Sequence, residues 1–170
     1  NDSWNKDNVW ESGDLYLDYA YAKHTFGESG LSMILGQQKN PWVHSFLTFD
    51  GDLRPTGATV AYNQDMFFAT IGGYNLRSDS KTGGSAEESL ANMYGGQLGL
   101  KYKTDCMDAL FALGFFHYDS ETTEYVFGTA AQNDGYNYQV GTAYAEIGGK
   151  AGPVGLKGFA EFAMNFDADN

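Results

Sequence analysis

The chain has 170 residues, and its 22 acidic side chains against 10 basic ones give a formal net charge of −12. Nucleic acids and anionic lipid surfaces are bound through basic patches, so this charge argues against both as partners. The longest uncharged apolar run, Ala109–Phe116, is far shorter than the roughly 20 residues that a membrane-spanning helix needs. A spanning strand needs only about 9–11 residues, of which every second one can be polar.

Aromatic residues make up 16% of the chain, which also contains 22 Gly and only 3 Pro. Tyr and Phe favour strands, and Gly is tolerated in strands where a barrel bends or packs closely. The chain has a single cysteine, Cys106, so it cannot form an internal disulfide, and we interpret Cys106 as a turn residue. This composition favours an all-β protein.

The period of the apolar residues along the chain is two, which is the period of a strand rather than of a helix. Alternation is clearest in the last segment, where Val154, Leu156 and Phe162 oppose Lys157 and Glu161. The pattern predicts eight strands, at residues 14–25, 31–39, 57–63, 66–76, 92–103, 109–118, 136–147 and 154–166. The segments 66–76 and 109–118 are apolar on both faces, so their orientation stays unassigned.

The connections between these strands alternate strictly between short and long. Four are short, at residues 27–30, 63–65, 104–107 and 148–153, and three are long, at 40–56, 77–91 and 119–135. Outer-membrane barrels combine tight periplasmic turns with long outer loops in this way, whereas a soluble barrel has no physical reason to do so. The sequence therefore predicts an antiparallel transmembrane β-barrel, with residues 1–170 in a single domain.

A barrel in lipid turns an apolar, aromatic-rich face outward and a polar face toward its lumen. The aromatic residues that we expect on the outward face are Tyr19, Tyr21, Tyr62, Tyr94, Tyr102, Tyr138, Tyr144, Phe162 and Phe166. The lumen-facing candidates are Asp18, Gln97, Lys101, Gln139, Lys157 and Glu161. The alternative is a soluble barrel whose large residues point inward, but it would expose rows of Leu and Phe or bury charges without partners.

Two adjoining segments, Leu35–Trp42 (LGQQKNPW) and Leu47–Gly57 (LTFDGDLRPTG), resemble the signature of a family of bacterial outer-membrane proteins, the putative porins. In that family a Gln- or Lys-rich strand end is followed by Asn/Thr-Pro-aromatic, and an Asp-x-Asp-Leu-x-Pro-x-Gly stretch opens the next strand. The match is close over about 25 residues and extends elsewhere only as a pattern. The resemblance implies an outer-membrane barrel with channel activity, and it brings no catalytic residue with it.

The same region contains a long loop whose polar residues Asp50, Asp52 and Arg54 can pair with one another. At this length the loop could fold inward and narrow a pore, which makes these three residues candidates for a constriction. The sequence alone favours an ordinary surface loop.

Catalytic and metal-binding patterns are weak. The three histidines, His24, His44 and His117, lie near strand ends or in loops, and no Gly-x-Ser-x-Gly, His-Glu-x-x-His or phosphate-loop motif is present. The acidic loop residues lack the spacing of a calcium-binding loop, so solvated charge is the better interpretation. We expect no catalytic residue, no cofactor and no metal, and therefore a protein that is not an enzyme.

These observations predict a porin-type channel of the bacterial outer membrane that lets small solutes or ions diffuse passively, with outer-membrane lipid around it and further copies as possible partners. Two alternatives remain: a barrel used for anchoring or adhesion, and a soluble secreted barrel that binds a small apolar ligand. The net negative charge favours cations, unless Lys101, Lys103 and Lys157 form a local basic strip that overrides it.

The alternation also bears on whether the eight strands close by themselves. If the short turns are periplasmic, the first strand begins outside and the last strand ends outside. Complete barrels of this class have both termini in the periplasm, so we expect the chain to be part of a larger barrel.

Overall fold

The computed structural model describes residues 18–77, 90–120, 138–151 and 153–167. Eight strands run through this part of the chain, and no helix occurs in it: β1 (Ala20–Thr25), β2 (Leu31–Gln37), β3 (Thr56–Gln64), β4 (Phe67–Arg77), β5 (Leu90–Lys103), β6 (Met107–Ser120), β7 (Tyr138–Ala151) and β8 (Val154–Asn165). Accordingly, the described residues include no helix with the length and apolarity needed to cross a bilayer.

The eight strands form one antiparallel sheet in the order β1-β2-β3-β4-β5-β6-β7-β8, so each strand pairs with its neighbours in sequence. The sheet is open, because no pairing joins β1 to β8 among the described residues. The all-β, antiparallel, eight-stranded prediction is confirmed, and so is the alternation of short and long connections. Residues 14–17 and 136–137, which the sequence placed in strands, lie outside the described residues.

The pairing register divides the side chains of the sheet between two faces. One row crosses the sheet through Thr70, Gln97, Gly114 and Thr142, and this side lies beneath the connection between β2 and β3. We call it the covered face. The opposite side carries the neighbouring residues Ile71, Leu98 and Leu113 and has no such cover, so we call it the bare face.

The register also orients the two strands that are apolar on both sides. In β4, Phe68 and Thr70 lie on the covered face, and in β6 the same face carries Ala112 and Phe116. Sequence periodicity does not determine the orientation of β4 and β6, because that orientation depends on which residues each strand pairs with across the sheet.

Four of the nine aromatic residues expected on the outward side do not share the bare face. Tyr21 lies in the row of Tyr74, and Tyr138 and Tyr144 also lie on the covered face, while Tyr19 sits beside the connection between β2 and β3. The assignment of faces in β1 and β7 was therefore wrong. A tyrosine can lie on the inner side when its ring is covered and its hydroxyl has a partner, and the Tyr144 hydroxyl donates to Glu146 Oε2 at 2.9 Å.

The core lies between the sheet and this connection rather than between two sheets. Trp42 and Phe49 of the connection pack on Tyr74, Met93 and Phe116 of the sheet. A second cluster, made of Phe68, Ala112 and Tyr144, is capped by Val43 and Leu110. Both clusters are on the covered face.

Gly95 makes room for this packing. A Cβ atom at Gly95 would lie 2.6 Å from Phe116 Cδ1 and 3.0 Å from Trp42 Cζ2, whereas at the next residue, Gly96, the nearest atom is Ile71 Cγ2 at 3.8 Å. The two glycines belong to the same strand but to opposite faces, which makes them a matched pair.

We expect Gly95→Ala to lower the free energy of unfolding by about 1–3 kcal/mol, the usual cost of overpacking a core. Gly96→Ala should leave it within about 1 kcal/mol of the parent value or raise it, since alanine restricts the unfolded chain. Equilibrium denaturant unfolding of both variants measures the difference. Equal destabilisation by the two substitutions would contradict the placement of Trp42.

Candidate functional site

The residues between β2 and β3, 38–55, form a loop that lies across the covered face, and we call it the crossing loop. Its two ends meet where the Gln38 N–H donates to the Pro55 carbonyl oxygen at 3.0 Å. The buried Gln38 side chain accepts a hydrogen bond from the Thr59 hydroxyl at 2.9 Å, and the Tyr74 hydroxyl lies 2.6 Å from that of Thr59. These contacts attach the root of the loop to β3 and β4.

Gln97 of β5 holds the first half of the crossing loop. The Val43 N–H donates to Gln97 Oε1 at 2.8 Å, and Gln97 Nε2 donates to the Val43 carbonyl oxygen, also at 2.8 Å. The side-chain amide thus pairs with one loop residue in the way that a neighbouring strand would. Gln97 is 4% exposed beneath the loop, so these two hydrogen bonds replace the water contacts that its amide loses there.

Glu161 of β8 holds the second half. Its Oε2 accepts hydrogen bonds from the Ser45 N–H at 2.9 Å and from the Ser45 hydroxyl, and its Oε1 accepts one from the Thr48 hydroxyl at 2.7 Å. Hydrogen bonds to an ionised carboxylate are roughly twice as strong as neutral ones. The crossing loop is therefore anchored on strands that are three apart in the sheet.

The apex of the loop, between the two Glu161 partners, is not buried. Phe46 is 89% exposed and Leu47 is 58% exposed, although the aromatic rings on either side, Trp42 and Phe49, are buried. The loop thus presents an apolar tip away from the sheet and keeps its other aromatic groups on the sheet.

Arg54 fastens the returning end of the loop. Its Nε donates to Asp18 Oδ1 at 3.0 Å, its guanidinium lies 5.0 Å from the centroid of the Tyr19 ring, and its Nη1 donates to the Gly51 carbonyl oxygen at 3.0 Å. Asp52 is more distant, at 4.0 Å from Arg54, and its side chain is 98% exposed, so this pair adds little.

A second polar group lies nearer the short turns. Lys101 donates to Asn63 Oδ1 at 3.2 Å, and its ammonium lies 4.9 Å from the centroid of the Phe68 ring. On β7 and β8, Lys157 Nζ lies 2.8 Å from Glu146 Oε2. These groups are on the covered face, next to the cluster on which Val43 packs.

The structure brings together four of the six lumen-facing candidates. Gln97, Lys101, Lys157 and Glu161 all lie on the covered face. Asp18 precedes β1 and reaches the returning end of the loop through Arg54. Gln139 does not join them: it pairs with His117 on the bare face, because the faces of β7 are the reverse of those predicted.

The three candidate constriction residues belong to the returning end of the loop rather than to the part that crosses the sheet. Asp50 Oδ1 accepts the Asp52 N–H at 3.1 Å within a local turn, and Arg54 points toward Asp18. The loop itself lies on the sheet, not as the projecting surface loop that the sequence favoured. The physical reason is its aromatic content, since Trp42 and Phe49 gain by burial.

Sequence reasoning missed the residues that make these anchors, namely Val43, Ser45 and Thr48. The signal available was the composition of residues 42–49 (WVHSFLTF), which is too apolar and aromatic for a fully solvated loop. The partners on β5 and β8 had no such signal, because they depend on contacts distant in sequence.

The histidines do not form a site. His24 and His117 lie on the bare face of β1 and β6, whereas His44 belongs to the crossing loop and contacts the Phe49 ring edge-on at 5.5 Å. Within the described ranges, no three His, Cys, Asp or Glu residues come close enough together to hold a metal ion.

Comparison with known protein families gives one match. The sequence profile of the family described as "Putative porin" matches residues 4–144, which is most of the chain. The chain belongs to this porin family. Comparisons with curated proteins and with solved structures found no match.

The covered face combines an apolar loop with charged side chains. The crossing loop adds bulk, an apolar tip and few free charges over β5 to β8, while Lys101, Glu146 and Lys157 leave charged groups beside it.

Substitution of Glu161 tests the anchor. Glu161→Ala removes three hydrogen bonds to the loop, and a loss of even about 2 kcal/mol would raise the detached population roughly 30-fold. Because proteolysis of a protected site follows the population of the open form, chymotrypsin should cut correspondingly faster at Phe49, which is buried while the loop is docked.

The matched control is Glu28→Ala, which removes the same charge from the exposed turn between β1 and β2. Its cleavage rate at Phe49 should equal that of the parent protein. Identical rates in all three proteins would show that Glu161 does not hold the loop.

Proposed function

We propose that this porin is a passive diffusion channel of the bacterial outer membrane, in which the covered face lines the lumen and the crossing loop narrows it. The observation that carries the proposal is the segregation of charge between the two faces of one sheet. Among the strand residues whose side chains the structure describes, Asp119 is the only Asp, Glu, Lys or Arg on the bare face, and it lies next to a long connection.

The bare face is apolar enough to be unstable in water. Many of its large side chains are more than half exposed, among them Phe67, Ile71, Leu98, Ile147, Leu156 and Phe162. Exposed apolar patches of this extent mark surfaces that contact a membrane or another protein. This supports the membrane protein over a soluble barrel that binds an apolar ligand.

The height of the apolar band also fits lipid. On β5, Tyr94 and Tyr102 lie eight residues apart on the bare face, with only Gly96, Leu98 and Leu100 between them. Eight residues span about 27 Å along a strand, or about 20 Å along a barrel axis at the usual tilt of roughly 40°. The apolar band of outer-membrane barrels is about 25 Å tall with aromatic residues at both edges.

The open edges of the sheet fit the same proposal. In hydrocarbon every backbone N–H and C=O must be paired, so a spanning sheet has to close on itself. β1 and β8 each pair on one side only among the described strands. In the proposed channel, further strands pair with both edges and complete the wall.

Planar-bilayer recording on the intact protein, purified in detergent, tests channel activity. We expect discrete conductance steps, and a larger step for the Gln97→Ala, Glu161→Ala double variant, in which both anchors of the loop are lost. Glu28→Ala should conduct like the parent. Correctly folded protein that never conducts would rule out the channel.

An arginine scan tests which face meets lipid. Leu98→Arg should make folding into bilayers less favourable by about 2–4 kcal/mol, because Leu98 lies midway between the two tyrosines on the bare face. Lys101→Arg, on the other face of the same strand, should cost less than about 1 kcal/mol. Equal costs for the two variants, measured by equilibrium unfolding from lipid vesicles, would overturn the assignment of the faces.

A further inference from the structure

The charges on the covered face differ in sign from the charge of the whole chain. The chain has a net charge of −12. The described strands nevertheless place five lysines and three carboxylates on the covered face: Lys23, Lys101, Lys103, Lys150 and Lys157 against Asp108, Glu146 and Glu161. The acidic excess of the chain therefore lies elsewhere.

Most of the lysines are concentrated toward the short turns. Lys101 and Lys103 on β5, Lys150 on β7 and Lys157 on β8 occupy the ends of their strands next to these turns. We call these four residues the lysine strip. Lys101 also lies at the edge of the crossing loop, since its ammonium is above the Phe68 ring and Phe68 belongs to the cluster that Val43 caps.

Of the three carboxylates on the covered face, Asp108 lies opposite Lys103 in the pairing of β5 with β6, and the other two are already engaged. Glu146 accepts hydrogen bonds from Lys157 and from the Tyr144 hydroxyl, and both oxygens of Glu161 accept hydrogen bonds from the crossing loop. In the described ranges Lys101 has a neutral amide oxygen and an aromatic ring as neighbours and no carboxylate within 4.0 Å. Its positive charge remains uncompensated by an ion pair.

The acidic groups at the other end of the sheet are too distant to cancel this charge. Asp18 and Asp52 lie around Arg54, beside the row of Tyr74 and Met93. Lys101 is eight residues further along β5 than Met93, about 27 Å at the usual rise of a strand. The Debye length in physiological salt is about 8 Å, so an ion beside Lys101 is screened from those carboxylates.

We infer that the channel favours small anions, such as chloride and short-chain carboxylates, because the lysine strip sets its selectivity next to the crossing loop. The inference rests on the proposed channel function. It reverses the cation preference expected from net charge, for the reason that a permeating ion senses nearby charges and not the sum over the chain.

Reversal potentials in a potassium chloride gradient, and again in potassium acetate, test this on the intact protein. The parent channel should pass chloride and acetate more readily than potassium. In Lys101→Glu the anion-to-cation ratio should fall roughly fourfold, because a change of two unit charges about 8 Å from the ion shifts the energies of an anion and of a cation in opposite directions and salt screens each shift to about a third. Lys39→Glu makes the same change at the exposed root of the crossing loop and should leave the ratio within about twofold, because screening isolates it.

The outcomes separate the two proposals. A conducting channel that prefers potassium, or equal effects of Lys101→Glu and Lys39→Glu, overturns the anion selectivity and leaves the channel standing. A folded protein with no conductance overturns the channel itself and the selectivity with it.

Discussion

The two-residue period of the paired strands is the constraint on which the rest of this structure depends. Neighbouring residues of a strand point to opposite faces, so a slip of one residue in the pairing of β5 would put Leu98 under the crossing loop and Gln97 on the bare face. Such a slip would leave the Val43 N–H and carbonyl oxygen without their partner, and it would put the polar side chain of Gln97 among apolar residues. The anchors, the apolar band and the lysine strip all require one register.

The register places both hydrogen-bonding partners of the crossing loop on the same face of the sheet. Backbone groups of the loop lose contact with water when the loop packs on the sheet. The side-chain amide of Gln97 and the carboxylate of Glu161 supply hydrogen-bond partners in place of that water. The root of the loop is less completely satisfied: in the described structure, Gln38 Nε2, Asn40 Nδ2 and Trp42 Nε1 are buried without an acceptor. Buried donors of this kind cost free energy, which reduces the net stabilisation that the root gives to the loop.

The sequence was sufficient for properties that repeat along the chain. Alternation and connection length predicted eight antiparallel strands, and they placed Gln97, Lys101, Lys157 and Glu161 on one side of the sheet. They were wrong about the faces of β1 and β7, where Tyr21 and Tyr144 resemble lipid-facing tyrosines but lie on the covered face. A tyrosine is both aromatic and polar, so its identity does not determine its side.

Docking of the loop was beyond sequence reasoning for a different reason. Nothing in the residue type of Glu161 distinguishes a loop anchor from a solvated charge, because the distinction arises from Ser45 and Thr48, more than a hundred positions earlier in the chain. Local pattern analysis weighs each segment by its neighbours and has no access to such partners. Only the apolar composition of the loop indicated that it would pack against another part of the protein.

The distance in sequence between Ser45 and its anchor has a consequence for the order in which the protein is assembled. The strands contact only their sequence neighbours, so hairpins such as β3–β4 and β5–β6 can form early and locally. The contact with Glu161, 116 residues from Ser45, can form only after β8 has joined the sheet. The Glu161 anchor is therefore made later than the Gln97 anchor, which needs only the strands up to β5, and both anchors hold the loop only when the eighth strand is in place.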